Sequence, residues 1–208
     1  MSEAISGFRF AYCPGCRFAH PGYLLFGGKA RTCANDASMN RIIVVGNAGA
    51  GKSTFARRLG GKLALPVIHL DSHFWRPGWQ VPEPNAWRQQ VVALAAAPAW
   101  VMDGNYINTF DIRMPRADGL VWLDHARGIC MRRVLTRTII GYGRTRSDLA
   151  EGCPDRFDVA FLRYVWNFPV TQRPRIVAGI AQFGGHLRVV RLGCDRDAEN
   201  FLIKVAAL

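Results

Sequence analysis

The chain has 208 residues, half of them hydrophobic, enough for one sizeable domain and too apolar for global disorder. No apolar run reaches the roughly 18 residues that span a bilayer, and the N-terminus lacks the basic-then-apolar build of a secretory signal, so the expectation is a cytoplasmic protein with no membrane partner, monomeric by default. The charge is basic, 27 Lys+Arg against 15 Asp+Glu for a net +12, which suits nucleic acid or a small anionic ligand.

Residues 1–38 show no α/β pattern and read as a poorly ordered N-terminal extension, with Met39 as an alternative start directly before the first strand. Within it Cys13 and Cys16 have metal-ligand spacing, and His20 and Cys33 complete a candidate zinc set; a second closely spaced pair is missing. From residue 39 onward short apolar runs alternate with amphipathic stretches. The runs are 42–45, 67–70, 100–102, 120–123 and 187–192. Their nearly unbroken hydrophobicity predicts parallel strands buried on both faces, and the alternation predicts a doubly wound α/β domain over 39–208.

The first run leads into GNAGAGKST, Gly46 to Thr54. Gly46, Gly51, Lys52 and Ser53 match G-x-x-x-x-G-K-[ST], placed after a strand and at the start of a helix as that motif requires. Glycine lets successive backbone N–H groups turn inward around phosphate oxygens, and the helix adds its positive end. The pattern therefore predicts a nucleotide cradle of Gly46, Asn47, Ala48, Gly49, Ala50, Gly51, Lys52, Ser53 and Thr54 for ATP, with Lys52 at the β- and γ-phosphates and Ser53 on Mg2+.

After the second run comes HLDSHFWRPGW. Asp71 falls at the carboxyl end of that strand, where α/β sheets bind ligands, and can orient or deprotonate an attacking hydroxyl. Trp75 and Trp79 are candidates for a wall of the acceptor pocket, while His69, inside the apolar run, reads as a core histidine. The third run ends in WVMDGNY and the fourth in LVWLD. Asp103 and Asp124 are thus both strand-end acids fit to sit near magnesium, and pattern alone does not choose between them. Farther on, Arg133 and Arg137 lie at i and i+4 on one helix face. Arg144, Arg146, Arg173 and Arg175 follow, and the stretch from about 141 to 175 reads as a basic lid.

These motifs together, with RRVLTR, EGCPDRFD, WNFP and RPRI, resemble the small adenylate-kinase-like P-loop proteins known in bacteria as topology modulation proteins, across about residues 40–193. The resemblance implies the nucleoside-monophosphate-kinase fold, a five-stranded parallel sheet in the order 2-3-1-4-5 flanked by helices. It implies Asp103 as the magnesium-associated acid, Arg133 and Arg137 as the start of the lid, and Tyr106 beside the acceptor. Two departures stand out: Asn105 and Tyr106 replace the arginine that grips the acceptor phosphate in adenylate kinases, and FWRPGW replaces the AMP-binding segment. The expected function is Mg2+-dependent transfer of the ATP γ-phosphate to a small-molecule acceptor, with Lys52, Asp71, Arg133 and Arg137 as the catalytic set. The alternative is an ATP-binding regulator that contacts nucleic acid, for which no DNA-reading motif is present.

Overall fold

The computed structural model describes residues 39–143 and 149–205. The 1–38 extension with its candidate zinc ligands, and Arg144 and Arg146 of the expected lid, lie outside the described residues.

Five parallel strands, β1 (Arg41–Gly46), β2 (Val67–His69), β3 (Trp100–Asp103), β4 (Gly119–Leu123) and β5 (Arg188–Leu192), form one sheet in the order 2-3-1-4-5. The order agrees with the expectation above. Period-two geometry sends alternate residues to opposite faces. Ile43, Val45, Trp100, Met102 and Trp122 meet α3 (Pro84–Ala95), α4 (Phe110–Arg113) and α7 (Arg173–Phe183) on one side. Ile42, Val44, Val101 and Leu123 meet α1 (Lys52–Leu63), α5 (Arg127–Gly141), α6 (Val159–Thr171) and α8 (Asp195–Val205) on the other. Both faces are therefore covered, which is why the strands read as unbroken apolar runs. β5, at an edge, instead alternates the exposed Arg188 and Arg191 with the buried Val189 and Leu192.

The second strand is one residue shorter than its apolar run. Leu70 begins α2 (Leu70–Phe74), a short helix that places Asp71 in its first turn. Register aligns Val44 and His69 with Asp103, and Gly46 with Leu123. Every candidate acid and the phosphate loop thus leave the sheet at the same carboxyl edge, the ligand side of open α/β sheets.

The stretch expected to act as a lid is not uniform. Its middle is α6, whose N-terminus is capped by Asp158 accepting from the Phe161 N–H at 3.0 Å, and whose Val165 and Phe168 are buried in the core. Pro169 falls in the last turn, where its missing N–H leaves the Val165 carbonyl to accept from Asn47 Nδ2 instead. No helix among the described residues is long and apolar enough to cross a membrane.

Candidate functional site

The loop after β1 has the backbone that its glycines predict. Gly46, Gly49 and Gly51 have φ of 149°, 80° and 88°, a region that favours glycine. A Cβ on Gly46 would lie 2.4 Å from the Leu123 carbonyl oxygen, and one on Gly49 2.4 Å from that of Cys130, whereas one on Gly51 would meet nothing. The first two glycines therefore serve packing, and the third leaves open space on the ligand side. Lys52 Nζ donates to the Asn47 carbonyl at 3.1 Å, and Asn47 Nδ2 donates to the Val165 carbonyl on α6 at 2.8 Å. The N-terminus of α1 has no side-chain cap and no acid in its first turn. A glycine loop with positive-φ backbone, an uncapped helix start and a lysine at its first position together suit an anion such as a polyphosphate.

This loop forms one end of a cleft of about 1010 Å³. Lys52, Ser53, Thr54, Ala48, Gly49 and Gly51 line it, as do Asp71, Trp75, Trp79, Tyr106, Arg133 and Arg137. Opposite the phosphate loop stands an aromatic wall. Phe74 lies 5.0 Å between ring centroids from both Trp75 and Trp87 and 4.8 Å from Tyr106, and Trp75 lies 5.2 Å from Trp79. Tyr106 donates its hydroxyl to Asp71 Oδ1 at 2.6 Å. Burial first, and then the Asp71 carboxylate, push the Tyr106 phenol far above its ordinary range, so it remains a donor at every working pH.

Asp103, at the end of β3, is buried, with Oδ2 3.0 Å from His69 Nδ1. Its Oδ1 has no hydrogen-bond partner among the described residues. A buried carboxylate with one oxygen unsatisfied at the carboxyl edge of the sheet suits an acid that accepts from the water shell of a divalent cation. His69 is thereby more than a core histidine, since it orients this carboxylate. Asp124 is occupied differently: Arg191 Nε donates to it at 2.6 Å and Arg173 pairs with it at 2.9 Å. Those contacts tie β4 to β5 and α7, and they take Arg173 away from the cleft-lining set.

Arg133 hydrogen-bonds Asp195, holding that carboxyl below its ordinary range, and lies 3.4 Å from His125 Nδ1. Of the later arginines, Arg156 and Arg175 line the cleft. Arg156 stacks over the Trp79 ring at 5.7 Å. The segment around it docks on the loop that carries Trp79. Gly78 N–H donates to the Gly152 carbonyl at 2.9 Å, Trp79 Nε1 to the Pro154 carbonyl at 3.2 Å and Cys153 Sγ to the Arg76 carbonyl at 3.1 Å.

Two residues that sequence reasoning did not place in the site shape it. Asn105 bonds the backbone of Gly46, and Arg113, fully buried, donates to the carbonyls of Gly104, Asn105 and Tyr106. Burial pulls the Arg113 guanidinium down to about 9. The only sequence signal for Arg113 is its nearness to DGNY; arginine is counted as a surface residue by default.

A parallel 2-3-1-4-5 sheet with a glycine-lysine loop after its central strand is the P-loop fold of nucleoside-monophosphate-kinase type. A solved structure shares this fold. The shikimate kinase from Acinetobacter baumannii in complex with shikimate superposes with a TM-score of 0.51 at 16% identity, covering 81% of this chain and 91% of that one. The shikimate kinase from Bacteroides thetaiotaomicron gives 0.47 at 18%, covering 82% and 98%. No known protein family matches the sequence, and no curated protein does.

Proposed function

We propose that the chain is a phosphotransferase that moves the γ-phosphate of ATP to a hydroxyl of a small acceptor. The observation that carries this reading is the continuity of the cleft, in which the phosphate loop faces Asp71 and the aromatic wall across one volume. Donor and acceptor subsites sharing a cavity are what transfer needs and what a pure nucleotide sensor does not.

In this reading Ser53 and Asp103 would hold magnesium, which would supply neutralisation of the phosphate charge. Lys52 and the loop amides hold the phosphate chain. Asp71, oriented by Tyr106, accepts the proton of the acceptor hydroxyl or aligns it. The rings of Trp75 and Trp79 seat the apolar face of the acceptor and exclude water. Arg133 and Arg137 face the charge that spreads over the transferring group. The motif resemblance to topology modulation proteins supports the same frame, and the loss of the adenylate kinase arginine at Asn105 and Tyr106 points away from AMP as the acceptor.

The test is a transfer screen with γ-labelled ATP and Mg2+ against nucleosides, nucleotides, sugars and other small hydroxyl compounds, with Lys52→Ala as control. Label transferred by the native chain and not by Lys52→Ala is the expected result; label passing to no compound overturns the reading. The net charge of +12 favours one rival, an ATP-binding regulator on nucleic acid. It predicts duplex binding that weakens steeply with salt and no acceptor-dependent turnover.

A further inference from the structure

The turn after β3 touches both halves of the cleft. Gly104 has φ 141° and Tyr106 has φ 29°, so the chain bends sharply between them. Before the bend the β ladder is still intact, with Gly104 N–H donating to the Val44 carbonyl at 3.1 Å. At the bend a side chain takes over. Asn105 Oδ1 accepts from the Gly46 N–H at 2.9 Å, and its Nδ2 donates to the Gly46 carbonyl at 2.9 Å. One amide thus satisfies both backbone groups of Gly46, which continued parallel pairing would share between two residues of β3, at the point where β1 becomes the phosphate loop. Gly46 cannot move away from it, because Leu123 of β4 backs its other side. The next residue, Tyr106, grips Asp71. Arg113 fixes the turn from beneath, donating to the carbonyls of Gly104 at 3.1 Å, Asn105 at 2.5 Å and Tyr106 at 3.2 Å, and to Thr109 Oγ1 at 3.0 Å.

We propose that Asn105 is a positioning residue for the phosphate loop, and that the Arg113-locked turn sets the spacing between that loop and Asp71. The first half rests on the phosphate loop binding ATP; the second rests on the transfer reading given above. A phosphate nest binds well only if its N–H groups are already aimed, since ordering them on binding subtracts from affinity. Asn105 supplies that order at the loop's first hinge.

The experiment uses the full chain with Mg2+ and a fluorescent N-methylanthraniloyl ATP, comparing Asn105→Leu and Asn105→Ala with Lys52→Ala. Both Asn105 variants weaken binding roughly tenfold, the size expected when two ordinary backbone hydrogen bonds are partly lost. Amide exchange at Gly46 quickens by a similar factor while that at Val44 does not; general loosening would quicken both. Arg113→Lys keeps the buried charge but not the fork of donors, and lowers the transfer rate more than it weakens ATP binding. Folded Asn105 variants with native affinity and native Gly46 exchange, alongside a Lys52→Ala protein that no longer binds, overturn the proposal. If the variants do not fold, native Gly46 exchanging as fast as an open loop overturns it instead. Undiminished binding in Lys52→Ala refutes the phosphate-loop reading itself.

Discussion

Gly49 and Gly51 sit two residues apart in one loop and are glycine for different reasons, so alanine at each separates fold from function. Both have positive φ, 80° and 88°, and an L-residue held there costs about 1–2 kcal/mol. For Gly51 that is the whole structural cost, because its Cβ meets no atom. At about 2–4 °C per kcal/mol for a chain of this size, Gly51→Ala lowers the melting temperature by about 2–8 °C. The new methyl group stands where a phosphate would approach the first turn of α1, so nucleotide affinity falls at least tenfold, about 1.4 kcal/mol. Gly49→Ala adds a collision to the same φ cost: its Cβ would lie 2.4 Å from the Cys130 carbonyl oxygen and 3.0 Å from Val134 Cγ2. Backbone of α5 must shift, and overpacking of this kind costs about 1–3 kcal/mol more. Thermal melts give the first quantity and titration with Mg-ATP the second. Equal melting losses in the two variants, or native ATP affinity in Gly51→Ala, would refute the division of labour within the loop.

Arg137→Ala lowers kcat by roughly a hundredfold while ATP affinity changes little, as expected for one preorganised donor to the transferring group; steady-state kinetics check it. Hydrogen exchange with and without a non-hydrolysable ATP analogue should protect residues 149–158 together with 76–80, because they are hydrogen-bonded to each other, and leave the core residues of α6 unchanged. A chain beginning at Met39 keeps the melting temperature and ATP affinity of the full chain, since Met39 itself packs on the core and the Asn40 and Arg41 amides are held by Asp118 Oδ2 at 2.9 and 2.8 Å. Burial, aided by Arg133, depresses the His125 pKa below its ordinary 6.5. Its contribution to stability is therefore complete above about pH 6.5 and is lost as pH falls through the lower folded value; melting curves from pH 8 to 5 should show that loss, reduced in His125→Asn.

What was legible in the sequence is what the chain writes locally. Ile42 to Val45 are apolar because both faces of β1 are covered, and the glycines and lysine that follow are adjacent in sequence. What escaped is what the fold assembles across distance. Asn105 meets Gly46 across 59 positions, and no residue near either one announces the bond. Arg113 is hidden for another reason. A buried guanidinium is so expensive that surface is the correct default, and the three carbonyls of the DGNY turn with the Thr109 hydroxyl make the interior acceptable. The stretch expected as a lid, about 141 to 175, mixes two kinds of residue for a similar reason: Arg156 and Arg175 line the cleft, whereas Val165 and Phe168 belong to the core.

Asp103 and Asp124 show most clearly where sequence reasoning stops. Each follows a buried apolar strand, and each leaves the same edge of the sheet. Their difference lies in their neighbours. Asp124 borders β5, where Arg191 and the Arg173 of α7 neutralise it. Asp103 borders β2, where its one side-chain partner among the described residues is His69, and half of its carboxylate stays unsatisfied. An acid already paired with two guanidinium groups has little field left for a cation, while one left half-satisfied in a buried place retains it. Strand order therefore separates the two acids where the motifs could not: among the described residues the acid on the β3 side keeps one oxygen without a hydrogen-bond partner, which supports the proposal of Asp103 for the cation, and the acid on the β4 side is tied to two arginines.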